Sequence, residues 1–288
     1  MKPSTAHPSA HIEHWDVVIA GAGPGGLACA RALTEQHPGR RVLLLEAGRT
    51  YDRHPCPVDK GFACTGCAGI CNVVSGFGGS MHYGDGAKLS LLPSGRRLID
   101  HFGATTAQNL CSTAYAWLTE PLATAPELLG QNLTDRAIDA FDANALAIRE
   151  YPVAVLGESD LGRVIKDFHN RLATAVTVRH TTELAAAEPN GTGLLLTVRS
   201  GRTLQRLSAD HLVLATGRRG VTSTTALLHS LGVTTDLPDI SLGVRFEMAA
   251  PLLAPIGEEH PDLKITQTDG ARKVKTFCFC GGPNGGRL

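Results

Sequence analysis

A short apolar run followed by closely spaced glycines, DVVIAGAGPGG over residues 16–26, constrains the fold of this chain more than any other feature. Residues 16–20 have the composition of a buried parallel strand. Gly21, Gly23 and Gly26 then complete G-x-G-x-x-G in front of the helical-looking sequence LACARALTEQHPG. This motif needs glycine for a tight turn, for close approach of the backbone to a pyrophosphate and for close helix–strand packing. The sequence therefore predicts a β-α-β unit that binds a dinucleotide.

Glu46 strengthens this prediction, because it ends the second apolar strand, RVLLLEAG, twenty residues after Gly26. An acid at this place is expected to hydrogen-bond the ribose hydroxyls. The helix that follows the glycines directs its free N–H groups and its positive dipole end toward the phosphates. Glycines alone would be a weak indication, whereas strand, glycines, helix, strand and acid together are a strong one.

The overall charge indicates no polyanionic partner. Lysine plus arginine and aspartate plus glutamate both number 27, so no global field favours nucleic acid or an anionic membrane. Residues 1–13 are polar and lack the apolar core of a signal peptide. Apolar stretches are interrupted well before the length of about 18 residues that a membrane span needs. We therefore expect a soluble, cytoplasmic protein with a disordered leader over residues 1–13.

Beyond the β-α-β unit, the sequence predicts further helices and strands. Residues 105–148 are rich in Ala and Leu, which predicts helices, the second of them capped by Asn132 or Thr134. YPVAVLG predicts a strand, followed by an amphipathic helix with Ser159 as its N-cap. AVTVRHTTELAAAE and GLLLTVRS predict paired strands that turn at PNG, residues 189–191. Two later segments, DISLGVRFEMAAPLLAPI and KVKTFCFCGG, predict further strands.

Four cysteines fall within sixteen residues with the spacing C-x7-C-x2-C-x3-C, namely Cys56, Cys64, Cys67 and Cys71. In a chain without a secretion signal, such clustering indicates metal or redox chemistry rather than a disulfide framework. Four thiolates on a glycine-containing loop can hold an iron–sulfur cluster, and we favour one of the 4Fe–4S type. Zinc, a redox-active pair of Cys64 and Cys67, and unligated cysteines stay open as alternatives. A metal would also explain how the irregular residues 51–104 stay folded.

Three of the four remaining cysteines are better explained by packing, whereas Cys111 stands alone in the sequence. Cys29 follows alanine in the first predicted helix, so we expect a small buried core residue. Cys278 and Cys280 lie two apart on a predicted strand and therefore point to opposite faces, so at most one of them can face a cofactor.

The sequence HLVLATGRRG, residues 211–220, predicts another strand, which ends in Ala-Thr-Gly. This ending recurs in flavoproteins with two dinucleotide domains, where chain and cofactor approach each other beside the first glycine loop. We therefore expect the chain to approach the cofactor again at this point.

One long segment, CTGCAGICNVVSGFGGSMHYGDGAKLSL, resembles the signature of FAD-dependent dehydrogenase-like flavoproteins, a family of uncharacterised oxidoreductases. LGVRFE at 242–247 and KTFCFCGG at 275–282 are similar to two later signatures of the same family. The resemblance covers most of residues 15–282. It implies an α/β fold of the glutathione-reductase type, with a Rossmann-like FAD-binding domain, a single FAD and an inserted substrate domain.

The resemblance implies a domain division. Residues 14–104 and 151–225 would form the FAD-binding domain, with a Cys/Gly-rich loop over 51–88. Residues 105–150 and 226–288 would form a substrate or interface region. The implied FAD contacts are Gly21, Gly23, Pro24, Gly25, Gly26, Glu46, Ala47, Gly79, Lys88, Leu184, Thr216, Gly217 and Arg218.

Two departures from the family pattern stand out. Ser80 to Tyr83 occupy a turn where the family has small residues, and an extra residue separates Gly86 from Lys88, so the substrate need not be the family's. The sequence ends at Leu288, so we expect it to lack the segment that usually closes this fold. We expect either a fragment or, with a slight preference, a second polypeptide that completes the FAD fold.

His82 and Tyr83, on a glycine-flanked turn, are the predicted acid–base pair for a small organic substrate. Arg218 and Arg219 could meet a phosphate or a substrate carboxylate. A second dinucleotide fingerprint is missing from the sequence, so electrons are expected from the substrate, from the cysteine-bound cluster or dithiol, or from a transient reductant. A non-catalytic or electron-relay subunit of a heteromer and a zinc-stabilised flavin monooxygenase are the alternatives.

Overall fold

The computed structural model describes residues 12–50, 52, 56–67, 70–83, 86–131, 133–135, 138–139, 146–236, 242–244, 246–270 and 272–276. Two compact units share these residues. Unit 1 is drawn from Met1–Ser80 and Ile165–Asp239, and unit 2 from Met81–Val164 and Ile240–Leu288. The domain boundaries and the leader proposed from the sequence stay predictions.

Unit 1 is built on a mixed sheet with the strand order β6-β2-β1-β9-β8-β7. Its strands are β1 (Glu13–Ala20), β2 (Val42–Leu45), β6 (Thr177–Arg179), β7 (Thr182–Asn190), β8 (Gly193–Ser200) and β9 (Thr203–Leu214). β1 pairs in parallel with both β2 and β9, and β2 pairs in parallel with β6, whereas β7, β8 and β9 are antiparallel. The predicted Rossmann-like α/β fold is thereby confirmed.

The local sequence explains the first β-α-β unit. All four residues of β2, VLLL, are buried, as expected of a parallel strand covered on both faces. Helix α1 (Pro24–Gln36) begins three residues earlier than the sequence suggested, because Pro24 has the fixed φ of a first helical residue. The core of the unit contains Val18, Leu43 and Leu196 among its fully buried side chains.

The predicted hairpin at 189–191 is confirmed, since Asn190 pairs with Gly193 across a two-residue loop in which Gly191 has a φ of +61°. Residues 177–179, however, were expected within that hairpin and instead form β6 beside β2. The prediction of a Ser159 N-cap is also wrong, because helix α4 (Glu158–Leu172) already includes this residue. Helix α5 (Val221–Ser230) follows β9.

Unit 2 combines two small antiparallel sheets with helices. β3 (Ala87–Ser90) pairs with β5 (Val153–Leu156), and β10 (Lys264–Asp269) lies between β11 (Arg272–Lys275) and β4 (Ala147–Arg149). The helices are α2 (Arg96–Phe102), α3 (Ala104–Thr119) and α6 (Ala250–Glu259), together with the N-terminal half of α4.

Three predictions for unit 2 need comment. Residues 250–256 were expected in a strand but belong to α6, since a short apolar run does not by itself distinguish the two structures. The Thr134 hydroxyl donates to Glu259 Oε1 at 2.9 Å, and its role as a cap stays a prediction, while Asn132 lies outside the described residues. Over the described ranges, no helix is long and apolar enough to cross a membrane.

Candidate nucleotide-binding site

Two glycines of the bend between β1 and α1 are required by the chain's own packing. A Cβ on Gly21, which has a φ of +109°, would lie 2.4 Å from the carbonyl oxygen of Ala215. A Cβ on Gly26 would lie 1.8 Å from the carbonyl oxygen of Gly21. Both distances are far below van der Waals contact, so any side chain here would force strand, bend and helix apart. These glycines explain why the bend is tight.

Gly23 and Gly25 are different, because a Cβ on either would meet no atom of the described residues within 4 Å. Gly23 has an ordinary φ of −76° and precedes Pro24 at the start of α1. No described side chain caps α1, and its first turn contains no acidic residue. The helix N-terminus therefore presents backbone N–H groups and the positive dipole end to open space, which is the arrangement that binds a diphosphate.

The carboxylate of Glu46 is 5% exposed and accepts three hydrogen bonds from backbone amides. Ala22 N donates to Oε2 at 2.9 Å, whereas Gly48 N and Gly76 N donate to Oε1 at 2.6 and 2.8 Å. A carboxylate offers about four lone-pair sites, so roughly one is left, on Oε2, for a ribose hydroxyl. Glu46, which was expected to hydrogen-bond the ribose hydroxyls, also joins three segments of the chain.

A second glycine-rich segment, Ser75–Gly79, lies against the bend, and all five of its residues are buried. Gly78 N donates to the carbonyl oxygen of Ala22 at 2.8 Å. A Cβ on Gly79 would lie 3.3 Å from Gly23 Cα, and one on Gly48 would lie 2.3 Å from Gly76 N. The segment therefore forms a second wall of the site, which we call the nucleotide cradle: the bend 21–26, Glu46, Gly48 and residues 75–79.

Phe77, within this second wall, is 1% exposed and contacts two histidine rings. The ring centroids of His169 and His180 lie 5.7 and 6.2 Å from that of Phe77. Burial lowers the pKa of His180, and the charge of Glu46 opposes this effect in part. His180 is therefore held neutral beside the carboxylate at neutral pH.

The Ala-Thr-Gly sequence that follows β9 reaches the bend through Ala215, whose N–H donates to the carbonyl oxygen of Ala20 at 2.9 Å. The Thr216 hydroxyl is hydrogen-bonded to Thr224 Oγ1 at 2.7 Å. Gly217 has a φ of +60° and, like Arg218, is exposed.

Two other predicted cofactor residues also lie in unit 1. Ala47 is half-buried directly after Glu46. Leu184 packs against the hydrophobic core at a bulge of β7, so the protein interior already accounts for this side chain.

The predicted catalytic residue His82 lies in unit 2, in a cavity of about 380 Å³ that it lines with Glu158, Ser159 and Gly162 of α4. This cavity is open to solvent, since Glu158 and Ser159 are exposed, and its volume falls in the range of small-molecule sites. The imidazole, carboxylate and hydroxyl supply groups that can exchange protons and hydrogen-bond a polar ligand. For Tyr83, the structure describes the backbone within the 3₁₀ turn Gly79–Tyr83.

Lys88 belongs to a second polar cluster of unit 2, which the sequence did not reveal. Its Nζ lies 3.5 Å from Asp262 Oδ1, and the buried Tyr151 hydroxyl donates to Asp262 Oδ2 at 2.7 Å. Burial and the Asp262 carboxylate raise the pKa of Tyr151. Lys264 Nζ lies 4.5 Å from the centre of the Tyr151 ring, and the His260 ring packs edge-on against it. Lys88 therefore has an acidic neighbour within its own unit.

The four predicted metal-binding cysteines do not form a ligand set in this structure. Cys64 and Cys67 are exposed, and Cys56 and Cys71 are half-buried. Among the described residues, no three of these thiols lie within 4.8 Å of one another. Cys29, expected in the core, is half-buried, and burial raises the pKa of its thiol. Cys278 and Cys280 lie outside the described residues.

Sequence reasoning identified the bend and Glu46 but missed Ala22, Gly48, Gly76 and Gly78 as parts of the cradle. A signal for the last two was present in the glycine spacing of SGFGG, since Gly76, Gly78 and Gly79 all have positive φ angles. Ala22 and Gly48 contribute backbone amides, which any residue type could supply.

Comparison with known proteins gives a local family match. Residues 19–64 match the family described as an NAD(P)-binding Rossmann-like domain. No curated protein matches the sequence.

Several solved structures are similar over larger parts of the chain. The OxyS anhydrotetracycline hydroxylase from Streptomyces rimosus is 20% identical, over 70% of this chain and 31% of its own, with a TM-score of 0.38. NikD, an amino acid oxidase of nikkomycin biosynthesis, is 18% identical, over 76% and 55%, with a TM-score of 0.41. Glycine oxidase from Geobacillus kaustophilus is 14% identical, over 77% and 59%, with a TM-score of 0.42. This chain thus spans about a third to three fifths of their length, and no function is inferred from scores this low.

Proposed function

We propose that this protein is an FAD-dependent oxidoreductase that acts on a small organic molecule. The observation that carries the proposal is the nucleotide cradle, where an open helix N-terminus, a buried ribose-type acid and two glycine-rich walls converge. The match of residues 19–64 to a dinucleotide-binding domain supports it, as does the resemblance of the SGFGG segment to flavoproteins.

Different residues of the cradle would bind different parts of the cofactor. The N–H groups at the start of α1 would bind the diphosphate, and the remaining lone pair of Glu46 would accept a ribose hydroxyl. The same carboxylate would repel a 2′-phosphate, so NADP(H) is disfavoured as the resident nucleotide. When bound, the flavin supplies the capacity to accept a hydride or electrons.

On the substrate side, the cavity beside His82 supports a proton-transfer role for this residue. His82 would take up or deliver a proton at a substrate hydroxyl or amine. Glu158 and Ser159 would orient the substrate by accepting or donating hydrogen bonds at the same cavity. Tyr83 is proposed as the partner in acid–base chemistry.

FAD binding by a Gly23→Ala variant tests the cradle directly. The added methyl meets no described atom within 4 Å, and residue 23 has an ordinary φ. Because alanine is a poorer helix N-cap than glycine, the apoprotein should stay folded with a Tm a few degrees below that of wild type at most. The methyl would, however, occupy the space through which a diphosphate approaches the backbone. We expect FAD affinity to fall at least about tenfold, which corresponds to about 1.4 kcal/mol.

Two further variants make this test specific. Gly162→Ala adds the same methyl to helix α4, again with no described atom within 4 Å, and should leave FAD affinity unchanged. Gly26→Ala should fail to fold, because its Cβ would overlap the Gly21 carbonyl oxygen. Wild-type protein that binds NADH but no FAD, or a Gly23→Ala variant that binds FAD as tightly as wild type, would contradict the proposal.

Electron exchange with a cysteine-bound 4Fe–4S cluster, or with a Cys64–Cys67 dithiol, stays a prediction. The described thiols do not gather into a ligand set, so no step is assigned to a cluster. Iron and acid-labile sulfide analysis of anaerobically purified protein tests the cluster, and one zinc without iron would indicate the alternative. Co-purification with a second chain, bearing FAD at the joint surface, tests the proposed heteromer.

A further inference from the structure

A group of potential metal ligands lies on the sheet of unit 1, near the start of β1. His14 and Asp16 on β1 and Asp210 on β9 each offer a ligand atom, and these atoms all lie within 4.8 Å of one another. Asp16 lies five residues before Gly21, roughly 16 Å away along an extended strand. The group is therefore distinct from the nucleotide cradle and has no role in the proposed function.

Strand register places two carboxylates side by side in this group. Trp15 pairs with Ala209 and Val17 with His211, so Asp16 lies opposite Asp210 on the neighbouring parallel strand. Like charges directly opposite each other on adjacent strands are destabilising. His14, two residues before Asp16, points to the same face of the sheet. A cation held between these three side chains would remove the repulsion.

The His14 ring lies between Ser208 and Asp210. Its Nδ1 is 3.1 Å from Ser208 Oγ, and this oxygen is also 3.4 Å from the carbonyl oxygen of Glu13. Its Nε2 is 3.6 Å from Asp210 Oδ1. In the tautomer that carries its proton on Nδ1, Nε2 has a lone pair directed at this carboxylate, so a cation can be held between the two atoms.

The surroundings of the group match those of known metal ligands. A ligating histidine usually donates its other ring N–H to an oxygen, and Ser208 Oγ lies within hydrogen-bond distance of His14 Nδ1 for this role. Asp16 Oδ2 accepts the Arg41 backbone N–H at 2.8 Å, which orients this carboxylate and leaves Oδ1 for a metal. Ligand atoms around a tetrahedral ion with bonds of about 2.1 Å lie roughly 3.4 Å apart. The 3.6 Å separation of His14 Nε2 and Asp210 Oδ1 is close to this value.

We propose that His14, Asp16 and Asp210 bind one divalent ion of the Mn²⁺ to Zn²⁺ series, with water completing its coordination. An imidazole ligand favours these ions over Mg²⁺ and Ca²⁺, which prefer oxygen alone. The ion would link β1 to β9 and so stabilise the two strands that lead to the glycine bend and to Ala215.

Mn²⁺ is the appropriate probe, because it prefers carboxylate oxygens to the thiolates of this cysteine-rich chain. Titration of the EDTA-treated full chain, followed by the electron paramagnetic resonance signal of free Mn²⁺, counts the bound ions. We expect one bound Mn²⁺ per chain and a higher Tm in its presence. Asp210→Asn and His14→Ala should each weaken binding at least about tenfold, and Ser208→Ala about tenfold through loss of ring orientation.

Two controls separate this site from other histidines. His211→Ala changes the neighbouring residue of β9, which points to the opposite face of the sheet, and should leave binding unchanged. A His7→Ala, His11→Ala double variant should also retain the ion. Absence of bound Mn²⁺, binding that survives Asp210→Asn in a variant with wild-type circular dichroism, or binding lost with His7 and His11 would overturn the proposal.

Discussion

Replacing Glu46 with glutamine tests whether one carboxylate holds the nucleotide cradle together before any ligand binds. The side chain keeps its size but loses its charge and one of its two acceptor oxygens. If the amide oxygen takes the place of Oε1, the amide NH₂ faces the N–H of Ala22. The opposite orientation is worse, because the NH₂ would then face the amides of both Gly48 and Gly76.

The cost follows from these contacts. A buried N–H without an acceptor costs about 1–3 kcal/mol, and the change from a charged to a neutral acceptor weakens each of the other two bonds by about 1 kcal/mol. A neutral amide is less costly to bury than a carboxylate, which offsets part of this sum. We therefore expect the free energy of unfolding to fall by about 3 kcal/mol. Each kcal/mol lowers Tm by about 2–4 °C in a domain of this size, which gives a decrease of about 6–12 °C.

Thermal and urea unfolding of the apoprotein provide the assay, with Glu183→Gln as the matched control. Glu183 on β7 forms a largely exposed ion pair with Arg199 on β8, so the same substitution there should change stability by less than about 1 kcal/mol. If Glu46 served the ribose alone, Glu46→Gln would weaken FAD binding without changing the apoprotein. If the apoprotein Tm of Glu46→Gln equalled that of Glu183→Gln, the stabilising role of the three amide hydrogen bonds to Glu46 would be refuted.

His82→Gln should lower turnover of a flavin-reducing substrate by about 10²- to 10⁴-fold, as expected for loss of a general acid–base, with FAD affinity unchanged in a parallel titration. The pKa of Tyr151 is raised from 10.0, so the unfolded chain loses this proton first and stability should fall as the pH rises past 10. Urea unfolding at about pH 9 and 11 should show a smaller decrease for Tyr151→Phe. The pKa of His180 is lowered from 6.5, so stability should fall as the pH drops below 6.5. His180→Gln should reduce that slope, and an unchanged slope would contradict the assignment.

The sequence predicted the β-α-β unit because the requirements there are local. Gly21 must adopt a positive φ, Gly26 must lie against the carbonyl oxygen of Gly21, and β2 must be apolar on both faces. Each of these requirements restricts the residue type. The hairpin at residue 191 was predictable for the same reason, since a glycine supplies the positive φ of the turn.

Contacts between distant segments were not predictable in this way. Gly76 donates to a residue thirty positions earlier, and the bond uses a backbone amide that any sequence would supply. Tyr151 and Asp262 are 111 residues apart and precede β5 and β10, which belong to two different sheets, so no local pattern of the sequence indicates that the two side chains meet. The helix α6 was mistaken for a strand because a short apolar run with two prolines has no clear period.

Glu46 also explains how the ends of the irregular, cysteine-containing segment between Gly48 and Gly76 are held together. This segment leaves the cradle at Gly48 and returns at Gly76, and both of these amides donate to the same carboxylate oxygen. Phe77 N closes the base further by donating to the carbonyl oxygen of Arg49 at 3.1 Å. The hydrogen bonds at the two ends offset the entropic cost of closing the loop, whatever its thiols bind. Any chemistry at the cysteines and the binding of a nucleotide would therefore both depend on Glu46. A substitution of Glu46 should change both.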